Sequence, residues 1–326
     1  MANINEVLPT MTTSIQQTQR PTVLQVQDLK QFFFKGKQVN KAVNGVSFEV
    51  KQGEVFGLVG ESGCGKTTTG RTIIKLYEAT AGNVYLNGKL IVAPKNEREK
   101  LHSSTDIQMI FQDPVASLNP RMTVFDVIAE GLVIRGEKNK EVLKKKVFET
   151  LELVGLVHEH ANRYPHEFSG GQRQRIGIAR AIILEPKVLI ADEPVSALDV
   201  SIQAQVINLL NDLRIKKGLT VLFIAHNLSV VKYFSDRIAV MHAGKIVEQA
   251  PTDDLFANPC HPYTQSLISA IPLPDPMAEA TRQRTVYNPL LQHNYQEEKP
   301  RMRELWNEHL VYCSEVEYKL YLENRK

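Results

Sequence analysis

Two short stretches carry chemistry in this chain, "GESGCGKTT" (Gly60–Thr68) and, much later, "EFSGGQRQR" (Glu167–Arg175), and each occurs once. In the first, Gly60, Gly63 and Gly65 let the backbone curl so that its N–H groups point inward. The start of a following helix adds positive potential at the place where phosphates sit. Lys66 has the reach for β- and γ-phosphates, and the Thr67 hydroxyl can face a magnesium ion. Glu61, Ser62, Cys64 and Thr68 complete the loop. Cys64 occupies a free position of the pattern and reads as a small filler rather than a redox switch. The loop is therefore expected to bind ATP with Mg²⁺.

A second acidic element sits in "VLIADEP". A buried strand ends in Asp192, which can hold Mg²⁺. Neighbouring residues of a strand point to opposite sides. Glu193 can therefore face a water beyond the γ-phosphate and act as general base. In "FSGGQ", Ser169, Gly170, Gly171 and Gln172 combine a hydroxyl, glycine N–H groups and a helix N-terminus, which makes a second anion site. One nucleotide in one loop has no need of it. Two chains do, if Ser169 and Gly171 of each complete the ATP site of the other.

These groups need a scaffold. "EVFGLVG" reads as a strand running into the loop, and "KTTTGRTIIKLY" as the helix after it. "VLQVQDLKQFFF" and "KAVNGVSFEV" have strand composition, and "NVYLNGKLIV" is a hairpin turning at Asn87-Gly88. "DIQMIFQ", "KVLIAD", "TVLFIAH" and "RIAVMH" are short buried strands. From about Val124 to Leu184 the pattern is helical, inserted into an order that alternates strand and helix. That order predicts a mainly parallel sheet covered on both faces. After about Gln249 the texture becomes proline-rich, with a short helix in "NPCHPYTQSLISAIPLPDP", then charged, with the one tryptophan, Trp306.

The chain has 326 residues, and 43% are hydrophobic and 23% charged, which suits a globular protein with a large core. A net charge of +3 does not argue for nucleic acid as a partner. No apolar run is long enough to span a bilayer, so other chains must supply any membrane crossing. Residues 1–22 are polar, carry no secretory signal pattern and read as a mobile tail. Cys64, Cys260 and Cys313 give no disulfide framework. His158, His160 and His166 fix no metal-ligand spacing and read as a solvated loop.

Taken together, these motifs over about 23–250 resemble the ABC ATPase family. The resemblance implies an α/β phosphate-loop NTPase (RecA-like) core with an N-terminal antiparallel β subdomain, an inserted helical subdomain at about 113–185, and a C-terminal extension. It implies further roles. The adenine-stacking aromatic falls in "QFFFK", as Phe33 with Phe32 and Phe34 open as alternatives. Gln112 in "IFQDP" senses Mg²⁺ and water near the contact with membrane subunits. Asp199 ends "SALD". His226 in "IAHNL" hydrogen-bonds the γ-phosphate and positions the water. Phe168 stands where the family usually has Leu, and Asn227 where most relatives have Asp.

A narrower resemblance, carried by "MIFQDPVASLNPRMTV", "RYPHEFSGGQRQRIGIARA", "NPCHPYTQSLISAIPLPDP" and the tail "HNYQEEKPRMRELWNEHLVYCSEVEYKLY", is to the oligopeptide/dipeptide importer ATPases. It lies nearest the F-type subunit of Gram-positive oligopeptide permeases, with residues 251–326 as the extension. It implies peripheral attachment at the cytoplasmic face of a bacterial cell membrane. The implied partners are a different sister ATPase, two permeases and an extracellular peptide-binding lipoprotein. Many such relatives hold an iron–sulfur centre in this extension. With Cys260 and Cys313 alone remaining there, no cluster is expected. Two alternatives accompany this reading. One keeps the mechanism with nickel, glutathione or an antimicrobial peptide as cargo. The other is a regulatory subunit that binds nucleotide without hydrolysing it.

Overall fold

The computed structural model describes residues 20–94, 106–272, 284–293, 295 and 298–323. Most of the polar N-terminal stretch read as a tail lies outside them. The chain opens with two long strands, β1 (Thr22–Lys35) and β2 (Gln38–Lys51), then β3 (Val55–Val59), α1 (Lys66–Ile73), β4 (Ala81–Leu86), β5 (Lys89–Val92) and β6 (Ile107–Ile110). Helices follow: α2 (Pro114–Ser117), α3 (Val124–Ile134), α4 (Lys140–Leu153) and α5 (Gly170–Ile182). Alternation then resumes with β7 (Val188–Asp192), α6 (Val200–Lys217), β8 (Thr220–Ala225), α7 (Leu228–Phe234), β9 (Arg237–His242) and β10 (Lys245–Pro251). The last part holds α8 (Thr252–Ala257), α9 (Pro262–Ser269), α10 (Pro289–Gln292), β11 (Arg301–Trp306), β12 (His309–Cys313) and α11 (Glu315–Glu323).

Two sheets result. The smaller is antiparallel, in the order β2-β1-β4-β5. Its β4–β5 turn is the expected one: Asn87 and Gly88 both have positive φ, 49° and 73°, which matches the right-handed twist of a tight hairpin. The larger runs β11-β12-β10-β9-β3-β8-β7-β6, parallel from β9 to β6 and antiparallel beyond β9.

Strands β3, β7 and β8 are buried along their whole length because both faces are covered. Phe56, Leu58, Ile190, Leu222 and Ile224 face the antiparallel sheet and α1, where Phe48 stacks on Phe56 with ring centres 5.1 Å apart. Val55, Val59, Leu189, Val221 and Phe223 face the opposite core, with Ile128, Leu151, Ile176 and Val206 from the helices. Strong local signals bound those helices. Thr123 and Asn139 cap α3 and α4 with their side-chain oxygens, and α6 stops at Gly218 in a left-handed conformation.

The charged tail, in which the sequence reading saw no strand, forms the β11–β12 hairpin. It joins the large sheet where Glu248 and Gln249 of β10 face Val311 and Leu310 of β12. Two side chains of the hairpin region reach Asp254 of α8: Trp306 Nε1 donates at 2.8 Å, and His309 Nδ1 lies 2.6 Å away.

Candidate functional site

The phosphate loop joins the end of β3 to α1. Two of its glycines are required by close approaches. A Cβ on Gly60 would lie 2.1 Å from the Met241 carbonyl, and one on Gly65 2.1 Å from that of Ala42. The loop thus rests on β2 and on the β9–β10 turn, where Gly244 N–H donates to Cys64 O at 2.9 Å. Lys66 is folded back, buried, with Nζ donating to Gly60 O at 2.8 Å and Glu61 O at 2.9 Å. Those carbonyls hold the ammonium against the loop. Cys64 is buried beneath the loop. Burial pushes its thiol up, against the pull of Lys66, which keeps it an unreactive filler.

Asp192 closes β7 with no exposed surface, and its Oδ1 accepts from the Thr67 hydroxyl at 2.8 Å. Burial raises the pKa of this carboxyl, offset in part by Thr67 and then Arg71, while the charge of Glu193 adds to the rise. Its Oδ2 is buried with no hydrogen-bond partner. A buried carboxylate oxygen left alone is costly. Beside a threonine hydroxyl, it is the donor set a hard divalent cation takes. The residues therefore fit Mg²⁺.

Glu193 leaves the strand with φ +45°, a left-handed turn that sends its side chain away from the buried face. Its Oε2 accepts from Gln112 Nε2 at 2.9 Å and lies 3.0 Å from His226 Nδ1. β6, β7 and β8 thus each deliver one member of this trio at or just beyond the strand's C-terminal end. A carboxylate accepts, so the His226 Nδ1 carries the proton. For His226 to donate to a γ-phosphate as well, it must leave Glu193 or take a second proton.

Ser169 and its neighbours lie elsewhere. Ser169 caps α5 in a reciprocal box with Gln172: Oγ accepts from Gln172 N–H at 3.4 Å, and Gln172 Oε1 from Ser169 N–H at 3.1 Å. A Cβ on Gly171 would come 2.6 Å from Ile202 Cγ2 of α6, so glycine lets the two helix starts pack closely. Ser169 and Gly170 are exposed, and among the described residues no hydrogen bond or ion pair joins residues 169–172 to the phosphate loop. Asp199, exposed, stands at the start of α6 with its side chain making no cap bond. Phe33 is partly exposed and meets Tyr77 edge-on at 5.3 Å, while Phe34 is more exposed, at 69%.

Known proteins place this geometry. Residues 43–196 match the family described as "ABC transporter", and residues 247–296 that described as "Oligopeptide/dipeptide transporter, C-terminal region". The oligopeptide transport ATP-binding protein OppF of Bacillus subtilis (strain 168) is 57% identical over 300 residues, covering 92% of this chain and 98% of that protein. The chain belongs to the ABC transporter ATP-binding family. The dipeptide transport ATP-binding protein DppF of Lactococcus lactis subsp. cremoris (strain MG1363) is 52% identical over 311 residues, covering 94% of this chain and 99% of its own. The cassette MJ0796, solved as a dimer in a post-hydrolysis state bound to ADP and Pi, superposes with a TM-score of 0.62. It is 28% identical and covers 70% of this chain and 98% of that one. As a member of this family the chain is an ATP-binding ATPase with the expected phosphate-loop α/β fold.

Two departures from the family pattern have structural reasons. Asn227 caps α7, its Oδ1 accepting from Ser229 N–H at 2.9 Å, a task Asp performs equally. Phe168 is buried with its ring edge-on to His160. His158 pairs with Glu152 at 2.7 Å, and His166 stacks on Tyr164, so the three histidines of this loop face three different partners. In the extension Cys260 and Cys313 share a small apolar cluster with Leu305 and Val311. Glu248, Cys260 and His309 bring possible ligand atoms within 4.8 Å of one another, a grouping the sequence reading did not foresee. The Glu248 oxygens there accept from Cys260 N–H, His261 N–H and His309. The sequence reading also missed Tyr263, whose hydroxyl touches the phosphate loop. "HPYT" offered an aromatic inside a proline-led helix start, but nothing local told where it points.

Proposed function

We propose that this chain is the ATP-hydrolysing motor subunit of an importer for oligopeptides or dipeptides. It works at the cytoplasmic face of the cell membrane with a sister ATP-binding subunit, two permeases and an extracellular peptide-binding lipoprotein. The observation that carries the reading is the trio Glu193, Gln112 and His226 beside the Thr67–Asp192 pair, with the Ser169 helix end turned outward. Residues 23–250 are read as the ATPase domain, about 113–185 as its helical subdomain, and 251–326 as the extension.

In this reading the loop from Gly60 to Thr68 cradles the phosphates, and Lys66 moves from its carbonyl perch to the β- and γ-phosphates. Phe33 stacks on adenine. Thr67, Asp192 and Gln112 would hold Mg²⁺, which when bound would supply positive charge against the phosphate oxygens. Glu193 takes the proton of the attacking water, and His226 orients it. Ser169, Gly170, Gly171 and Gln172, with Asp199 alongside, act on the sister subunit's ATP. The closed pair binds ATP better than ADP, and that difference turns the permeases. Exposed apolar side chains are available for contact with a permease: Val133 and Ile134, 53% and 79% exposed at the end of α3, and Val115 of α2, 58% exposed.

The test is the complex reconstituted in vesicles with Glu193→Gln. ATP binding stays, while ATP turnover and uptake of labelled peptide fall by roughly 10²–10⁴-fold. Turnover that survives the change speaks for a non-hydrolysing role here. Turnover stimulated by nickel or glutathione and not by peptide removes the cargo assignment.

A further inference from the structure

Among the described residues, the extension reaches back to the phosphate loop through Tyr263. Tyr263, in the first turn of α9 and 2% exposed, accepts a hydrogen bond from Glu61 N–H at 3.1 Å, across 202 positions of sequence. That N–H belongs to the same planar peptide as the Gly60 carbonyl. The carbonyl side of this peptide holds Lys66 Nζ at 2.8 Å. The Gly60 side offers no Cβ to resist rotation. The phenol therefore fixes the orientation of the peptide that holds the phosphate-binding lysine.

Tyr263 is itself held. Its ring lies 4.2 Å from that of His242, at the end of β9 beside the loop, and 5.3 Å from that of Tyr287. His261 caps α9 by accepting from Tyr263 N–H at 3.1 Å. Glu248 of β10 anchors the same helix start through Cys260 N–H at 2.7 Å and His261 N–H at 3.0 Å. Each link is a hydrogen bond or ring contact between buried or half-buried groups, so α9 has little room to shift.

We propose that Tyr263 is a positioning residue for nucleotide binding, through which the C-terminal extension sets the shape of the phosphate loop. It touches neither Glu193 nor Asp192, so its effect falls on ATP affinity and not on the hydrolytic step. Without the hydroxyl, ATP must order the Gly60–Glu61 peptide as it binds. Reciprocity then requires that ATP also tighten α9.

The inference rests on the phosphate-loop reading above, and the test separates the two. In the assembled complex Tyr263→Phe keeps the ring and loses the hydroxyl. It is expected to raise the KM for ATP about tenfold, in line with a buried donor left without its partner, with kcat within about twofold. Binding of a fluorescent ATP analogue to the full chain is expected to weaken by the same factor. Tyr287→Phe, which removes a hydroxyl from the neighbouring ring, is expected to leave both values unchanged. A KM unaltered by Tyr263→Phe, an equal rise with Tyr287→Phe, or a fall in kcat alone overturns the inference and leaves the phosphate-loop reading intact. A wild-type chain that binds no ATP overturns both.

Discussion

His309 joins the β11–β12 hairpin to the ATPase sheet, and its replacement by glutamine has a signature that depends on pH. The ring is fully buried. Nε2 lies 2.8 Å from Glu248 Oε1, also fully buried, and Nδ1 lies 2.6 Å from Asp254 Oδ2. Ionised carboxylates only accept, so both nitrogens must donate and the ring is an imidazolium. Burial lowers its pKa, but the hydrogen bond and charge of Glu248, then those of Asp254, outweigh burial and hold it above the ordinary 6.5. Burial likewise raises Asp254, and hydrogen bonds from Asn258, His309 and Trp306 carry it below the ordinary 3.8. A raised histidine contributes stability that is complete below 6.5 and lost as pH climbs through the folded value. A depressed aspartate contributes stability present above 3.8 and lost as pH falls through its folded value. Breaking a buried pair costs about 3–5 kcal/mol, and glutamine, which can still serve one carboxylate, falls near the low end. At about 2 °C per kcal/mol for a chain of this size, the melting point drops about 6 °C. The assay is thermal unfolding of the full chain from pH 6.5 to about 8.5, the upper end being where ordinary thiols are half ionised in the unfolded chains of wild type and variant alike. Burial, first of all, pushes Cys260 next to this cluster far up, and it takes His261 down to about 3, so both stay neutral in the native protein there. The gap between wild type and His309→Gln narrows as pH rises. A gap that stays constant, or widens, refutes the imidazolium.

Two further outcomes follow from the site itself. Ser169→Ala removes a loose cap, 3.4 Å from Gln172 N–H, so the chain loses about 1 kcal/mol or less of stability. If the hydroxyl serves the neighbour's phosphates as proposed, ATP turnover of the assembled complex nevertheless falls more than about tenfold; a loss no larger than the stability change explains would remove that role. Asp192→Asn keeps the Thr67 contact and removes a buried charge, so the melting point holds or rises. Turnover then demands far more Mg²⁺, which a magnesium titration of the rate reads directly; an unchanged titration curve dissociates Asp192 from the cation.

Legibility in the sequence followed the range of the interaction. β3, β7 and β8 are continuous apolar runs because both faces of the parallel sheet are covered, and such runs can be read without knowing their neighbours. The phosphate loop, the capped start of α5 and the Asn87-Gly88 turn are each made within a few residues, so composition and spacing contain them. The β11–β12 hairpin was not legible. β11, "RMRELW", lies at the sheet edge with mostly exposed positions, and its register is set by β12, which pairs in turn with β10 more than fifty residues upstream. Tyr263 was hidden for the same reason, since its partner is a backbone N–H on another element.

The trio Glu193, Gln112 and His226 shows a middle case. Each residue type was readable, but their meeting depends on strand order. β6, β7 and β8 are parallel neighbours in the sheet, so their carboxyl ends lie side by side. That order also puts β3, with the phosphate loop at its end, beside β8 and two places from β7, which brings Thr67 to Asp192. α5 reaches this sheet by packing on β6 and on α2, α3, α4 and α6, so its exposed N-terminus is carried by the helical block. The proposed reading therefore assigns the serine carried by that block and the lysine at the start of α1 to phosphates of two different nucleotides.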